Sequence, residues 1–346
     1  MQILSGGHTD VFGLDIGISA MRVVQLRGSG PMKSLDRYGQ APITGTLALS
    51  DAKTDRQKIG QAVHDLVHQV GISTKNVAVN LPSNHVFTTV IDMDRLPAEE
   101  LNKTIRYQAD SFIPTPLAKS KIDWAVIGDS PKDPKKVELL LSSVSNDFIE
   151  ARLDMLQSAG LNVVAFEPDS MVLTRSLLAS NTPVPQMILD IGSAATDLVI
   201  AINGAPHLVR SIPTGMQAIT RAAIQNLGVQ PAKAEQFVFK FGLVKDKLEG
   251  QVYNSIIGVI DGLVSEIDKS IKFFQSRYPT LKLDRIVVTG GASVLPEFPL
   301  YLANKFSINV EIGNSWRNVS FPASRQNELA AVSNHFAVAV GLAERA

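Results

Sequence analysis

Between Phe12 and Leu26, apolar and β-branched residues crowd around one small turn, Gly17-Ile18-Ser19, a pattern that predicts a β-hairpin. Ile59, Val63, Leu66 and Val70 then recur at helical spacing, so one helix face is buried until Gly71 stops it. Asn76 to Leu81 follows as a short buried strand. To this point the pattern is that of an α/β half-domain.

From about Asn84 the rhythm changes. Val86 to Met93 alternates like a strand, and Leu96, Leu101, Ile105, Gln108 and Phe112 mark a helix ended by Pro114 and Pro116. Ile122 to Ile127 and Val137 to Val144 are strands joined by the charged turn Asp129 to Pro134, and Phe148 to Ala159 is a helix closed by Gly160. The order strand, helix, strand, strand, helix describes a small α+β insertion that presents a groove. A strand at Leu161 to Glu167, a helix at Asp169 to Leu178 and the linker Ser180 to Pro185 lead into the second half.

That half opens on another hairpin, Met187 to Ile200, with a third strand near His207 to Ile212 and a turn at Pro213-Thr214-Gly215. A mostly helical stretch runs from Gln217 to Arg277, where Val252, Ile256, Ile260, Leu263, Ile267, Ile271 and Phe274 form one apolar stripe. Asp284 to Thr289 is a buried strand opening onto Gly290-Gly291, and two helices follow, one after Pro296 and one over Glu328 to Leu342. The expected division is 1–83 with 162–182 as a first lobe, 84–161 as the insertion, 183–216 with 284–346 as a second lobe, and 217–283 as a helical subdomain.

Composition narrows the partners. The 346 residues carry a formal net charge of zero with 19% charged residues, so a polyanion such as nucleic acid is not the expected ligand. No cysteine is present, which excludes disulfides and thiolate metal sites and fits a reducing cytoplasm. Met1 to Asp10 has no basic-then-apolar order, so no secretory signal is expected there. The longest apolar runs, Leu161 to Phe166 and Ala337 to Ala343, fall far short of the roughly 20 residues that span a bilayer. Membrane contact is expected only through a partner.

Chemistry concentrates in the two hairpins. Each carries Asp-Ile-Gly in the same order, Asp15-Ile16-Gly17 and Asp190-Ile191-Gly192. Such a turn pairs backbone N–H groups with a carboxylate, which suits a phosphate and its magnesium. The plainer reading is that both aspartates close their own hairpins. His64 and His68, four apart on a helix, have no identifiable third metal ligand and read as helix surface.

With Val287-Val288-Thr289-Gly290-Gly291-Ala292 added, the chain resembles the actin-like ATPase superfamily. The resemblance implies a duplicated, ribonuclease H-like, two-lobed α/β fold with an inserted subdomain of the FtsA 1C type. It further implies ATP with Mg2+ in the cleft: Asp15 and Asp190 facing each other at the metal, Gly17, Ser19 and Arg22 on one phosphate turn, and Gly192 and Thr196 on the other. Gly215, Glu235, Gly290, Gly291 and Ala292 would surround the nucleoside, and Glu167 would orient an attacking water with Asp15 as the other catalytic carboxylate.

Within the superfamily the chain resembles the PilM family of type IV pilus assembly proteins, relatives of FtsA. The likeness rests on Arg106 to Pro114, Lys121-Ile122-Asp123-Trp124, Val209 to Gly215, Ala234-Glu235-Gln236-Phe237 and Ala339 to Ala343. It implies a cytoplasmic scaffold of a type IV pilus or type II secretion machine, peripheral to the inner membrane and at most a slow ATPase. Its partner would be the N-terminal peptide of a PilN-like inner-membrane protein, received by Ile105, Gln108, Phe112, Ile113 and Trp124, with other pilus assembly proteins and self-association as further contacts. Arg22, Met216 and Val238 depart from the family pattern of lysine, glycine and lysine; Met216 would crowd the nucleotide and Val238 would remove a cation facing it. The alternatives are a sugar- or acetate-type kinase of the same superfamily, an FtsA-like filament protein, whose basic membrane tail is not found at Gly341 to Ala346, and a scaffold that binds no nucleotide.

Overall fold

A computed structural model describes residues 10–28, 30, 32–50 and 52–345. Met1 to Thr9, where no secretory signal is expected, and Ala346 lie outside them.

The first hairpin is the start of a three-stranded antiparallel meander, β1 (Phe12–Ile16), β2 (Ala20–Arg27) and β3 (Lys33–Pro42). The half-exposed, polar β3 has no clear period, which is why the sequence pattern does not announce it. After α1 (Gly45–Ala48) and the long α2 (Lys53–Val70), β4 (Asn76–Leu81) pairs parallel with β1.

The insertion contributes β5 (Val86–Asp94), α3 (Ala98–Gln108), β6 (Ser120–Asp129) and β7 (Lys136–Ser145), with sheet order β5-β7-β6. The expected helix to Phe112 ends at Gln108 and tightens into a 3-10 turn over Ala109–Ser111. The next helix, α4 (Asn146–Ser158), leaves this sheet: Ile149, Met155 and Leu156 join the first-lobe core with Phe12, Leu14 and Ile59. The insertion's packing unit therefore stops before α4, because the helix's apolar face is buried on the lobe. β8 (Asn162–Pro168) and α5 (Asp169–Leu177) complete that lobe's forward run.

The second lobe repeats the plan. β9 (Gln186–Ile191), β10 (Thr196–Ile202) and β11 (Ala205–Ile212) form a meander, followed by α6 (Met216–Leu227), α7 (Pro231–Phe241) and the 27-residue α8 (Gln251–Arg277). β12 (Arg285–Thr289), α9 (Phe298–Phe306) and β13 (Asn309–Ile312) give the order β11-β10-β9-β12-β13. This matches β3-β2-β1-β4-β8 of the first sheet. Two parallel strands flank a three-stranded meander in both.

Beyond β13 the chain recrosses. β14 (Val319–Ser320) pairs with β3, and after α10 (Gln326–Val332) the helix α11 (Ala337–Ala343) packs on β1, β2 and α5. The approach is close enough that a Cβ on Gly13 would sit 2.2 Å from the Ala339 carbonyl oxygen. β14 and α11 thus pack on the first lobe, while Asn334, between α10 and α11, still hydrogen-bonds Gly290 and accepts the Thr289 hydroxyl in the second. The single helix expected over Glu328 to Leu342 is two, separated by a 3-10 turn at Ser333–His335.

A partly buried ionic junction ties insertion to second lobe. Arg277, at the end of α8, reaches Asp92 on β5 at 2.8 Å and the buried Glu138 on β7 at 2.6 Å. The Tyr278 hydroxyl donates to the same Glu138 carboxylate at 2.7 Å.

Candidate functional site

The two hairpins place their aspartates at equivalent points of the ladder but against different neighbours. Asp15 on β1 lies across from Arg22 on β2, whose Nη1 approaches its Oδ2 to 3.4 Å. Asp190 on β9 lies across from Asp197 on β10. Burial pushes the Asp15 carboxyl up, and the Arg22 charge opposes it. Burial also pushes Asp190 up to about 7, and Asp197 and Asp15 add repulsion.

Two further acids join them. Asp169, at the first turn of α5, is buried and raised well above the carboxylate range by burial and by Asp15, Asp197 and Asp190. Asn80 fixes it by donating Nδ2 to its Oδ1 at 3.2 Å, while accepting the Ile16 N–H at 2.9 Å. Asp197 is raised by burial against hydrogen bonds from Ser211 and Ser83. Two acids from each lobe therefore share one electrostatic environment, with Arg22 and Arg152 as the cations that act on them. A carboxylate excess in a closed space fits a divalent cation arriving with phosphate. Among the described residues no three His, Cys, Asp or Glu side chains are arranged to hold a metal alone, so phosphate and water oxygens would have to complete the shell.

The remaining cleft residues divide. Gly17 and Gly192 close their turns by donating to Ala20 and Ala195 at 3.1 and 2.9 Å, and Ser19 is exposed at the first tip. Thr196 is buried, and its hydroxyl donates to the Thr214 carbonyl at 2.7 Å, holding the turn after β11. Gly215 packs against the second tip, where a Cβ would lie 2.6 Å from the Gly192 oxygen. Gly290 has φ +80, and a Cβ there would lie 2.4 Å from Asp190 Oδ1. Gly291 opens beside His335, whereas the Ala292 side chain is in the core and Glu235 is exposed on α7.

Three expectations change. Met216 packs against the second-lobe core instead of crowding the cleft, and Val238 is fully buried in that core. Glu167 is buried between Arg175 and Arg345, each at 2.5 Å, and its carboxylate is spent on joining β8 to α5 and the chain end. It is not placed with the cleft acids; Asp169, two residues later, is. The acid opening a helix after Pro168 was the available signal for Asp169, and the ladder position opposite Asp190 was the signal for Asp197.

The expected peptide residues also regroup. Ile105 and Ile113 are buried in the insertion's own core, Phe112 and Trp124 pack against it half-buried, and Gln108 is exposed. Ile105 and Ile113 are thus spent on the module's own core, while Phe112, Trp124 and Gln108 keep part of their surface open. One hollow lies where the insertion meets the first lobe, and a larger one lies within the first lobe itself. A slot of about 10 Å3, room for one water, is lined by Leu81, Val86, Lys121, Asp123 and Phe166. A groove of about 330 Å3 lies between α2 and α4, with Arg56, Gln57 and Gln61 facing Ala151, Asp154 and Met155. His64 lines it too, its Nδ1 3.2 Å from the Ala159 carbonyl oxygen. Among the described residues no helix is long and apolar enough to cross a membrane.

The family model described as type IV pilus assembly protein PilM matches residues 13–346. Among solved structures, a PilM-PilN type IV pilus biogenesis complex is similar with TM-score 0.83 and 23% identity, covering 97% of this chain and 98% of that one. The ethanolamine utilization protein EutJ from Carboxydothermus hydrogenoformans gives 0.58 and 14%, covering 99% and 93%. MreB 5 of Spiroplasma citri bound to AMPPNP gives 0.57 and 13%, covering 97% and 95%. At these identities the likeness is one of fold, and the fold is actin-like.

Proposed function

The chain belongs to the PilM family of type IV pilus assembly proteins, and from that premise we propose that it is an actin-like scaffold that binds ATP with Mg2+ between its lobes and the N-terminal peptide of a PilN-like protein beside its insertion. The convergence of Asp15 and Asp190 from duplicated hairpins carries the nucleotide reading. Arg22 pairs with Asp15 and opposes the effect of its burial, while among the described residues no ion pair serves Asp190 or Asp197, and magnesium arriving with phosphate would supply them a cation. Gly290 leaves room for backbone to pass beside Asp190. Glu167, committed to Arg175 and Arg345, cannot also orient a water, which supports slow turnover at most and a role in assembly rather than metabolism.

The partner peptide is assigned to the α2–α4 groove of the first lobe, which is roomier than the slot at the lobe–insertion boundary. Its polar and apolar walls suit an extended segment. The protein then works in the cytoplasm and reaches the inner membrane through its partners.

Calorimetry tests both sites. Asp15→Ala should weaken Mg-ATP binding at least a hundredfold, and unchanged affinity would remove the phosphate assignment. Ala151→Trp, which fills the groove, should weaken a PilN-like peptide more than tenfold; undiminished binding would move the peptide elsewhere.

A further inference from the structure

Arg152 is the cleft's outlying charge. It comes from α4, yet its charge acts on Asp169 and Asp15 in the first lobe. No ion pair within 4 Å joins it to either acid among the described residues, and its Nε is buried without a hydrogen-bond partner. An unspent guanidinium N–H in such a place costs stability unless a ligand meets it.

Its support is built. Phe148, one turn earlier on α4, lies under the guanidinium at 5.3 Å, and His85 stacks on Phe148 with centroids 4.1 Å apart. This platform fixes the side chain without using its donors. Arg22 already gives one N–H to Asp15, although its Nε is likewise buried without a partner. A phosphate entering among four acids needs a cation with donors to spare, and Arg152 offers them.

The same helix faces the other hollow. Ile149 and Leu156 anchor α4 in the first-lobe core, while Ala151, Asp154 and Met155 wall the groove against α2. One rigid helix thus presents one face to each site.

Resting on the nucleotide reading above, we propose that Arg152 binds the phosphate end of the nucleotide and passes occupancy of the cleft through α4 to the groove between α4 and α2. The nucleotide favours the arrangement in which Arg152 meets phosphate, so α4 is held differently with and without it.

Calorimetry with Mg-ATP, joined to hydrogen exchange of residues 146–158, tests this on the full chain. Arg152→Met, which keeps length and removes charge, should weaken Mg-ATP binding about tenfold, the range of one charge-assisted hydrogen bond. Arg152→Lys should recover part of that loss. Saturating Mg-ATP should slow exchange in both hairpins and α4 of the wild type, but in the hairpins alone of Arg152→Met. If the wild type binds and Arg152→Met binds equally, or protects α4 equally, this inference falls and the nucleotide reading stands. If the wild type itself does not bind Mg-ATP, both fall.

Discussion

The first hairpin answers its acid and the second does not. At the same ladder position Asp15 meets Arg22, whereas Asp190 meets Asp197. Duplicated backbone with unequal charge gives one hairpin whose acid is paired within the protein and one whose two facing acids call for a cation from outside. Like charges directly opposite on a ladder destabilise it, so the second hairpin trades stability for that capacity.

The largest expected effect comes from making the first hairpin resemble the second. Arg22→Ala strips a buried carboxylate of its counter-charge and should cost about 3 kcal/mol in urea unfolding. Asp15→Asn in that background should recover much of the loss, and a small cost for Arg22→Ala alone would mean the pair is not structural. Gly290→Ala comes next, at about 2 kcal/mol, because φ is positive and the added Cβ meets Asp190 Oδ1 and the Ile191 oxygen at 2.4 and 2.5 Å. A melting temperature unchanged from wild type would contradict that packing.

Asp190 supplies the pH dependence. The folded chain keeps this proton up to about pH 7, whereas the unfolded chain releases it around the ordinary 3.8, so between those limits the folded state binds more protons. Stability contributed by the protonated acid is full below the lower limit and is lost as pH rises through the upper one. The nucleotide-free protein should melt a few degrees lower at about pH 8 than at about pH 5, and Asp190→Asn should flatten that slope. A slope as steep in the variant would assign the proton elsewhere. The smallest effect sharpens the comparison most: Asp197→Asn should stabilise the nucleotide-free chain by about 0.5 kcal/mol while weakening Mg-ATP binding.

Much of this was legible in residues. The repeated Asp-Ile-Gly and the apolar runs around it carried both hairpins, since a strand's pattern is local and strong. The stripe Val252 to Phe274 carried α8 for the same reason. Site membership was less legible. Glu167 fits the position that the superfamily resemblance implies, yet Arg175 and Arg345 lie 8 and 178 positions away and draw its carboxylate off the cleft. Ile105 and Ile113 look equally apolar whether they line a groove or fill a core, and only the sheet packed on them decides between the two.

By itself, then, the sequence determined the elements, the duplication, the absence of thiol chemistry and the pair of acids at the hairpin tips. These follow from short-range periodicity, turn chemistry and composition. Tertiary structure alone decided that β14 and α11 pack on the first lobe, that α4 leaves its own module, that Arg277 clamps the insertion to the second lobe, and that Asp169 and Asp197 share the electrostatic environment of Asp15 and Asp190. Each of those depends on contacts between residues far apart in the chain, whose strength is set by burial and charge in the assembled fold rather than by neighbours along it.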